Sequence, residues 1–223
     1  MNRVENHELG GEKLAAFTRT TAEERFVRAL YTSLDEAIAG SLERLRSRKG
    51  ITARCGIGCS HCCRFRIPLS VIEAHTLSQH IKREFTENQI ETLRMRTLQW
   101  HAWDGSRPGR HPSGMIEQQA DLSGYDHCCP LLVNGACSAY LARPVVCRTH
   151  FVSSHPWYCL AANDPKSTED EPVAITSILT ETSRFSMAIK DHVEDTGADF
   201  CRSVMLLPHW LAIQMGWDFA FPL

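Results

Sequence analysis

"CGIGCSHCC", residues 55–63, sets four cysteines in nine positions: Cys55, Cys59 after three residues, Cys62 after two more, and Cys63 directly behind it. Exposed unpaired thiols are open to oxidation, so a chain that crowds them this way has a use for sulfur. Gaps of two or three residues let one loop wrap its thiolates around a single soft centre. Gly56 and Gly58 are expected to supply the positive φ angles that so tight a wrap needs. Backbone N–H groups in such a loop can also hydrogen-bond to sulfur and offset its charge.

A second group follows in "CCPLLVNGACSAYLARPVVC", residues 128–147, with Cys128, Cys129, Cys137 and Cys147. Asn134-Gly135 between short apolar runs predicts a hairpin turn, which puts Cys129 and Cys137 near the ends of its strands. Pro144 biases Arg143 away from helix and turns the chain ahead of Cys147. Each pair alone is a weak signal; two such groups in one chain predict a metal site. Thiolate softness selects zinc or an iron–sulfur cluster and argues against calcium or magnesium. Spacing does not choose between the two soft options, nor between one site and two.

The bulk numbers support this reading. A chain of 223 residues with 43% hydrophobic content can bury one sizeable core. A net charge of −2 argues against a general polyanion binder, so no nucleic-acid partner is expected. No stretch reaches the roughly 20 apolar residues that span a bilayer, and no membrane partner is expected. The start, "MNRVENHELGGEKLAAF", has no apolar run after its basic residue and does not read as a secretory signal. A cytoplasmic location follows as the expectation, where thiols stay reduced. Ten cysteines there read as ligands rather than as a disulfide framework. The adjacent pairs Cys62-Cys63 and Cys128-Cys129 could bridge internally only with strain.

The flanks read as helices. Over 21–48, Phe26, Leu30, Leu34, Ile38, Leu42 and Leu45 keep helical spacing, with Thr21 and Glu24 as a capping box and Gly50 as the stop. Ser70 and Glu73 form a second box, opening a helix to about residue 84. Thr86 caps a third helix with Ile90, Leu93 and Leu98 on its apolar face. Residues 104–114 read as a loop and 163–172 as a polar connection. Two helices are expected at 173–194 and 198–216, with Pro208 starting a new one. The aromatic stretches at 100–103 and 207–217 read as core. The predicted fold is mainly α, with helices packed around an irregular cysteine-rich metal-binding centre and a short β-hairpin. One compact domain is expected, made of an N-terminal helical segment (1–50), a cysteine core (51–160) and a C-terminal helical segment (161–223).

The spacing Cys55-x3-Cys59-x2-Cys62 is that of radical S-adenosylmethionine enzymes. Those carry an aromatic residue before the third cysteine, where His61 stands here, and set the motif in an alternating strand–helix barrel. Residues 64–102 read as helix after helix, which argues against that class. No Walker-type phosphate loop or dinucleotide fingerprint is present.

"CGIGCSHCC" together with "CPLLVNGACSAYLARPVVCR" resembles the YkgJ-type cysteine-cluster family, described as zinc- or iron-chelating proteins. Its pattern is a cysteine run ending in CC, a helix, CP-x-L, then C-x-x-Y-x-x-RP-x-x-CR. Cys129, Pro130, Leu132, Cys137, Tyr140, Arg143, Pro144, Cys147 and Arg148 match its second half. The resemblance covers about residues 55–150. It departs in the first gap, three residues rather than two, and in Ser60, where a glycine often stands. The longer gap is similar to that of the flagellin lysine methylases, for which an iron–sulfur centre is expected, and this favours iron–sulfur (4Fe–4S) over zinc.

The resemblance implies Cys55, Cys59, Cys62, Cys63, Cys129, Cys137 and Cys147 as ligands; Cys128, outside the family pattern, is an eighth candidate thiol or a buried bystander. Arg143 and Arg148 would offset the negative charge of a four-thiolate site, the other use open to them being a salt bridge or carbonyl contact. Tyr140 would pack over the hairpin and reach a partner of a ligand. Of the eleven histidines, His61, His127 and His150 lie beside cysteines, and His61 and His150 are candidate ligands or neighbours. Cys159 fits no group. Cys201 reads as a core residue. The expected function is a metal-binding protein holding iron–sulfur or zinc. The alternatives are an iron–sulfur enzyme transferring methyl from S-adenosylmethionine to an amine, and a metal-handling or partner-binding module without chemistry of its own.

Overall fold

The computed structural model describes residues 21–56, 58–106, 128–162 and 166–218. Its helices are α1 (Thr21–Lys49), α2 (Val71–Glu84), α3 (Glu87–Ser106), α4 (Val145–Thr149), α5 (Trp157–Ala161), α6 (Thr176–Asp195) and α7 (Leu207–Met215). Among the described residues, four two-residue strands accompany them: β1 (Pro68–Leu69), β2 (Leu132–Val133), β3 (Ala136–Cys137) and β4 (Met205–Leu206). Among the described residues the chain is therefore mainly helical, as expected, and no helix is long and apolar enough to cross a membrane.

Helix α1 buries the stripe that its periodicity predicts. Leu30, Leu34, Ile38 and Leu45 are in the core with Val27 and Tyr31, while Phe26 and Leu42 pack at its margin. Gly50 ends it in the left-handed conformation (φ 65°), which returns the N–H groups of Gly50 and Ile51 to the carbonyls of Arg46 and Leu45, both at 3.2 Å. The capping box expected at Thr21 rests on a side chain outside the described residues; Glu24 pairs with Arg28 (2.8 Å) and Arg83 (2.6 Å).

Helix α2 is the central element, packed against α1 on one side and α7 on another. Its expected box is present: Ser70 donates to Glu73 from both its backbone N–H (3.1 Å) and its hydroxyl (3.0 Å). Thr86 and Gln89 close the equivalent box on α3, whose Leu93 is buried. Helix α6 lies along α1, and the short α4 rests on both.

Three expected element boundaries need correction. Helix α3 continues through 104–106, because Asp104 stays buried beside His209 of α7 (3.5 Å); the rest of the loop expected at 104–114 lies outside the described residues. Helix α6 starts at Thr176 rather than 173, since Ala174 bridges Val152 and the Ile175 N–H donates to the Phe151 carbonyl (2.8 Å). The helix expected over 198–216 is only its second half: Gly197 (φ 80°) turns the chain, and α7 begins at Leu207 with Pro208 in its first turn.

Before α7 come a 3-10 turn (Cys201–Ser203) and β4, which pairs antiparallel with β1 in the register Pro68↔Leu206 and Leu69↔Met205. This break overturns the core placement of Cys201. In the 3-10 turn Ser203 is the buried residue and Phe200 packs on the core, leaving Cys201 exposed.

Candidate metal centre

The cysteine run leaves α1 as irregular backbone anchored from outside. The Arg54 N–H donates to the Val152 carbonyl (2.9 Å), and the Val152 N–H donates to Cys55 Sγ (3.3 Å). Gly58 takes the positive φ expected of it (91°), whereas Gly56 does not; its carbonyl instead accepts the Cys59 N–H (3.0 Å). A 3-10 turn, His61–Arg64, then carries Cys62 and Cys63, closed by Cys63 N–H to Ser60 (3.0 Å) and Phe65 N–H to Cys62 (3.0 Å).

The second group is brought to the first by backbone. The Cys129 N–H donates to the Cys63 carbonyl at 2.7 Å. The predicted hairpin follows, with Leu132 opposite Cys137 and both turn residues at positive φ, Asn134 at 50° and Gly135 at 78°, as a type I′ turn requires. Arg96 of α3 holds it by donating to the Leu132 carbonyl (2.9 Å). Arg143 is extended (ψ 136°), as its place before Pro144 predicts, and α4 then delivers Cys147. Glu73 fixes the start of α4 by accepting the Val145 N–H (2.9 Å), and it also accepts the Tyr31 hydroxyl (3.2 Å).

Cys59, Cys62 and Cys63 from the first run and Cys129, Cys137 and Cys147 from the second line one cavity of about 70 Å³, walled by Ile67, Leu77, Leu131 and Leu207. A water needs roughly 10–15 Å³ measured this way, so the space takes a group of several atoms. Among the described residues no three His, Cys, Asp or Glu side chains are drawn in closely enough to hold a single ion. Among the described residues, which include all ten cysteines, no disulfide is formed. Cys55 stands beside the cavity at the Val152 clamp, and Cys128 is half-buried and outside the lining.

Burial and neighbouring thiols govern the electrostatics. The Cys63 thiol donates to Cys62 and holds Cys62 down to about 7; burial opposes this and the Arg143 charge adds to it. Cys63 is correspondingly pushed up, first by that same hydrogen bond and then by burial. Burial pushes Cys129 up to about 12, Cys147 well above the ordinary thiol value, and Cys137 and Cys55 upward. Backbone N–H groups counter this at three sulfurs, Leu131 at Cys129, Ala139 at Cys137 and Val152 at Cys55.

The other predicted residues divide. Arg143 lines the cavity, its guanidinium lying 3.6 Å over the Tyr140 ring, which lines it too. Arg148 is turned elsewhere: it donates to the carbonyls of Arg143 (2.7 Å) and Leu141 and to Asp35, and stacks on Tyr31 (4.2 Å). Its charge is the least of the influences on Cys137, where burial leads. His61 opens the 3-10 turn outside the cavity lining. His150 packs edge-on against Phe65, and its buried Nε2 has no hydrogen-bond partner among the described residues. His127 lies outside the described residues.

Three residues were not singled out for these roles: Glu73 beyond its cap, Val152 as a clamp, and Cys159. Cys159 is buried in α5, which packs on the His61–Arg64 turn. Its one signal in the sequence is a position soon after Pro156 and twelve residues beyond Cys147. Comparison of the chain with protein-family models, with curated proteins and with solved structures finds no match.

Proposed function

We propose that this protein binds a soft inorganic group through its cysteines, and that the group is an iron–sulfur cluster rather than a single zinc ion. The observation that carries the reading is the meeting of six cysteines, from two runs far apart in sequence, around one apolar-walled cavity. Apolar walls and buried thiols make a poor water pocket and a good cradle for a group that replaces the thiol protons.

Size favours the cluster. A zinc ion bonds sulfur at about 2.3 Å, so four ligating sulfurs lie within roughly 4.6 Å of one another. Among the described residues no three thiols are gathered that closely, and the space they line takes several atoms. Backbone N–H groups at the sulfurs of Cys55, Cys129 and Cys137, with Arg143 on the rim, suit a cluster whose potential depends on hydrogen bonds to sulfur and on nearby charge. When bound, such a cluster supplies one-electron chemistry or a Lewis-acidic iron. This chain contributes the thiolates, the exclusion of water and the compensating cation.

The test is elemental analysis, acid-labile sulfide and electron paramagnetic resonance on protein purified without oxygen. A brown protein with iron and sulfide in equal amounts is expected, and Cys62→Ser is expected to lower both sharply. A colourless protein carrying only zinc would reject the cluster, and one without metal would reject the whole reading.

A further inference from the structure

Cys159 belongs to neither predicted group, yet the fold brings it to the first. Helix α5, which carries it, packs on the 3-10 turn of Cys62 and Cys63, and Cys159 is 3% exposed. The segment leading to α5 is also where the run is clamped, through Val152 at Arg54 and Cys55. Cys159 and the clamped Cys55 both stand outside the lining of the cavity, which Cys59 and Cys62 reach. Cys147 instead lines that cavity with Cys63, Cys129 and Cys137.

The Cys62-Cys63 junction explains such a division. A 3-10 turn has three residues per turn, so adjacent side chains leave it roughly 120° apart. Two successive cysteines on it are placed to serve two directions rather than one. Cys62 and Cys63 both line the cavity, and the Cys63 carbonyl accepts the Cys129 N–H (2.7 Å).

We propose that Cys159 completes a second four-thiolate set with Cys55, Cys59 and Cys62, beside a first set of Cys63, Cys129, Cys137 and Cys147, each set holding its own soft inorganic group. This rests on reading the cavity as a metal centre. The group at each set is an iron–sulfur cluster, and each ligating thiol gives up its proton to solvent as the cluster binds.

The experiment counts iron, zinc and acid-labile sulfide per chain after anaerobic purification and, separately, after loading with ferrous iron and inorganic sulfide. Wild type is expected to hold two groups. Cys159→Ala and Cys147→Ser are each expected to lose one and keep the other. The double variant Cys55→Ala/Cys159→Ala should lose no more than Cys159→Ala, whereas Cys159→Ala/Cys147→Ser should lose both. Cys201→Ser should match wild type. A wild-type chain that holds one group overturns the second set, as does a Cys159→Ala protein with unchanged metal. The wild-type count decides the matter if the variants do not fold. A wild type without metal is a different result, the failure of the metal centre itself.

Discussion

The backbone N–H of Cys129 donates to the carbonyl of Cys63 at 2.7 Å, so the two cysteine runs are joined by main chain before any side chain is considered. A bound group would add ties between the same two segments. Removing it by chelation under reducing conditions should therefore loosen the hairpin first. Hydrogen exchange is the check: amides at 128–147 and 55–65 are expected to exchange faster after chelation, while the buried face of α1 keeps its protection. Equal loss of protection everywhere would mean that the metal holds the whole fold.

Glu73 is a buried carboxylate that accepts from the Ser70 N–H and hydroxyl, the Tyr31 hydroxyl and the Val145 N–H. It ties the start of α2 to α1 and to the helix that carries Cys147. Glu73→Ala leaves several of these donors buried without an acceptor and is expected to cost about 3–4 kcal/mol. Tyr31→Phe removes one donor and should cost about 1 kcal/mol. Urea unfolding of the two variants measures the difference, and comparable losses would refute the central place given to the carboxylate.

Arg148 and Asp35 form one ion pair with unequal stakes, since the Arg148 side chain is 4% exposed and that of Asp35 54%. Asp35→Asn is expected to stay within about 1 kcal/mol of wild type, as exposed pairs do. Arg148→Met takes the donor from two carbonyls as well and should cost about 3 kcal/mol. Arg148→Lys should recover little, because an ammonium cannot fork across the Arg143 and Leu141 carbonyls while reaching Asp35.

Gly135 sits at φ 78° with nothing within 4 Å of where a Cβ would be, so a side chain there meets only backbone strain. Gly135→Ala is expected to cost about 1–2 kcal/mol, with metal content unchanged if the register Leu132↔Cys137 survives. Thermal melts and metal analysis of the one variant separate the two effects.

What could be read in the sequence was whatever is local. The α1 stripe of Leu30, Leu34, Ile38 and Leu45 repeats over many turns, and Asn134-Gly135 names its own turn because few residues tolerate two positive φ angles in a row. Ser70 and Glu73 were legible as a cap for the same reason. That Glu73 also receives Tyr31 and Val145 was not, because nothing near it in the chain encodes a tertiary partner. The β1–β4 pair escaped because two-residue strands have no period to detect. Arg148 was expected beside thiolates from its nearness to Cys147, yet on a helix the next residue points elsewhere, toward α1. Cys159 was passed over because its helix meets the turn that carries Cys62 only once α5 folds back on it.

His75 on α2 gives the fold a sensitivity to pH away from the cysteines. Burial lowers its pKa below the ordinary 6.5, reinforced by Lys82 and opposed by Glu24, a hydrogen bond with Gln214, and Glu23. The unfolded chain thus binds a proton near pH 6.5 that the folded chain takes up only at lower pH. Between those two values the unfolded state holds more protons, so stability rises with pH through this window and falls as the solution is acidified. The urea midpoint is expected to drop between about pH 7 and about pH 5.5, and His75→Gln should make that drop shallower. It should not abolish it, because burial lowers His150 in the same direction. A variant with the full wild-type slope would show that His75 ionises equally in both states.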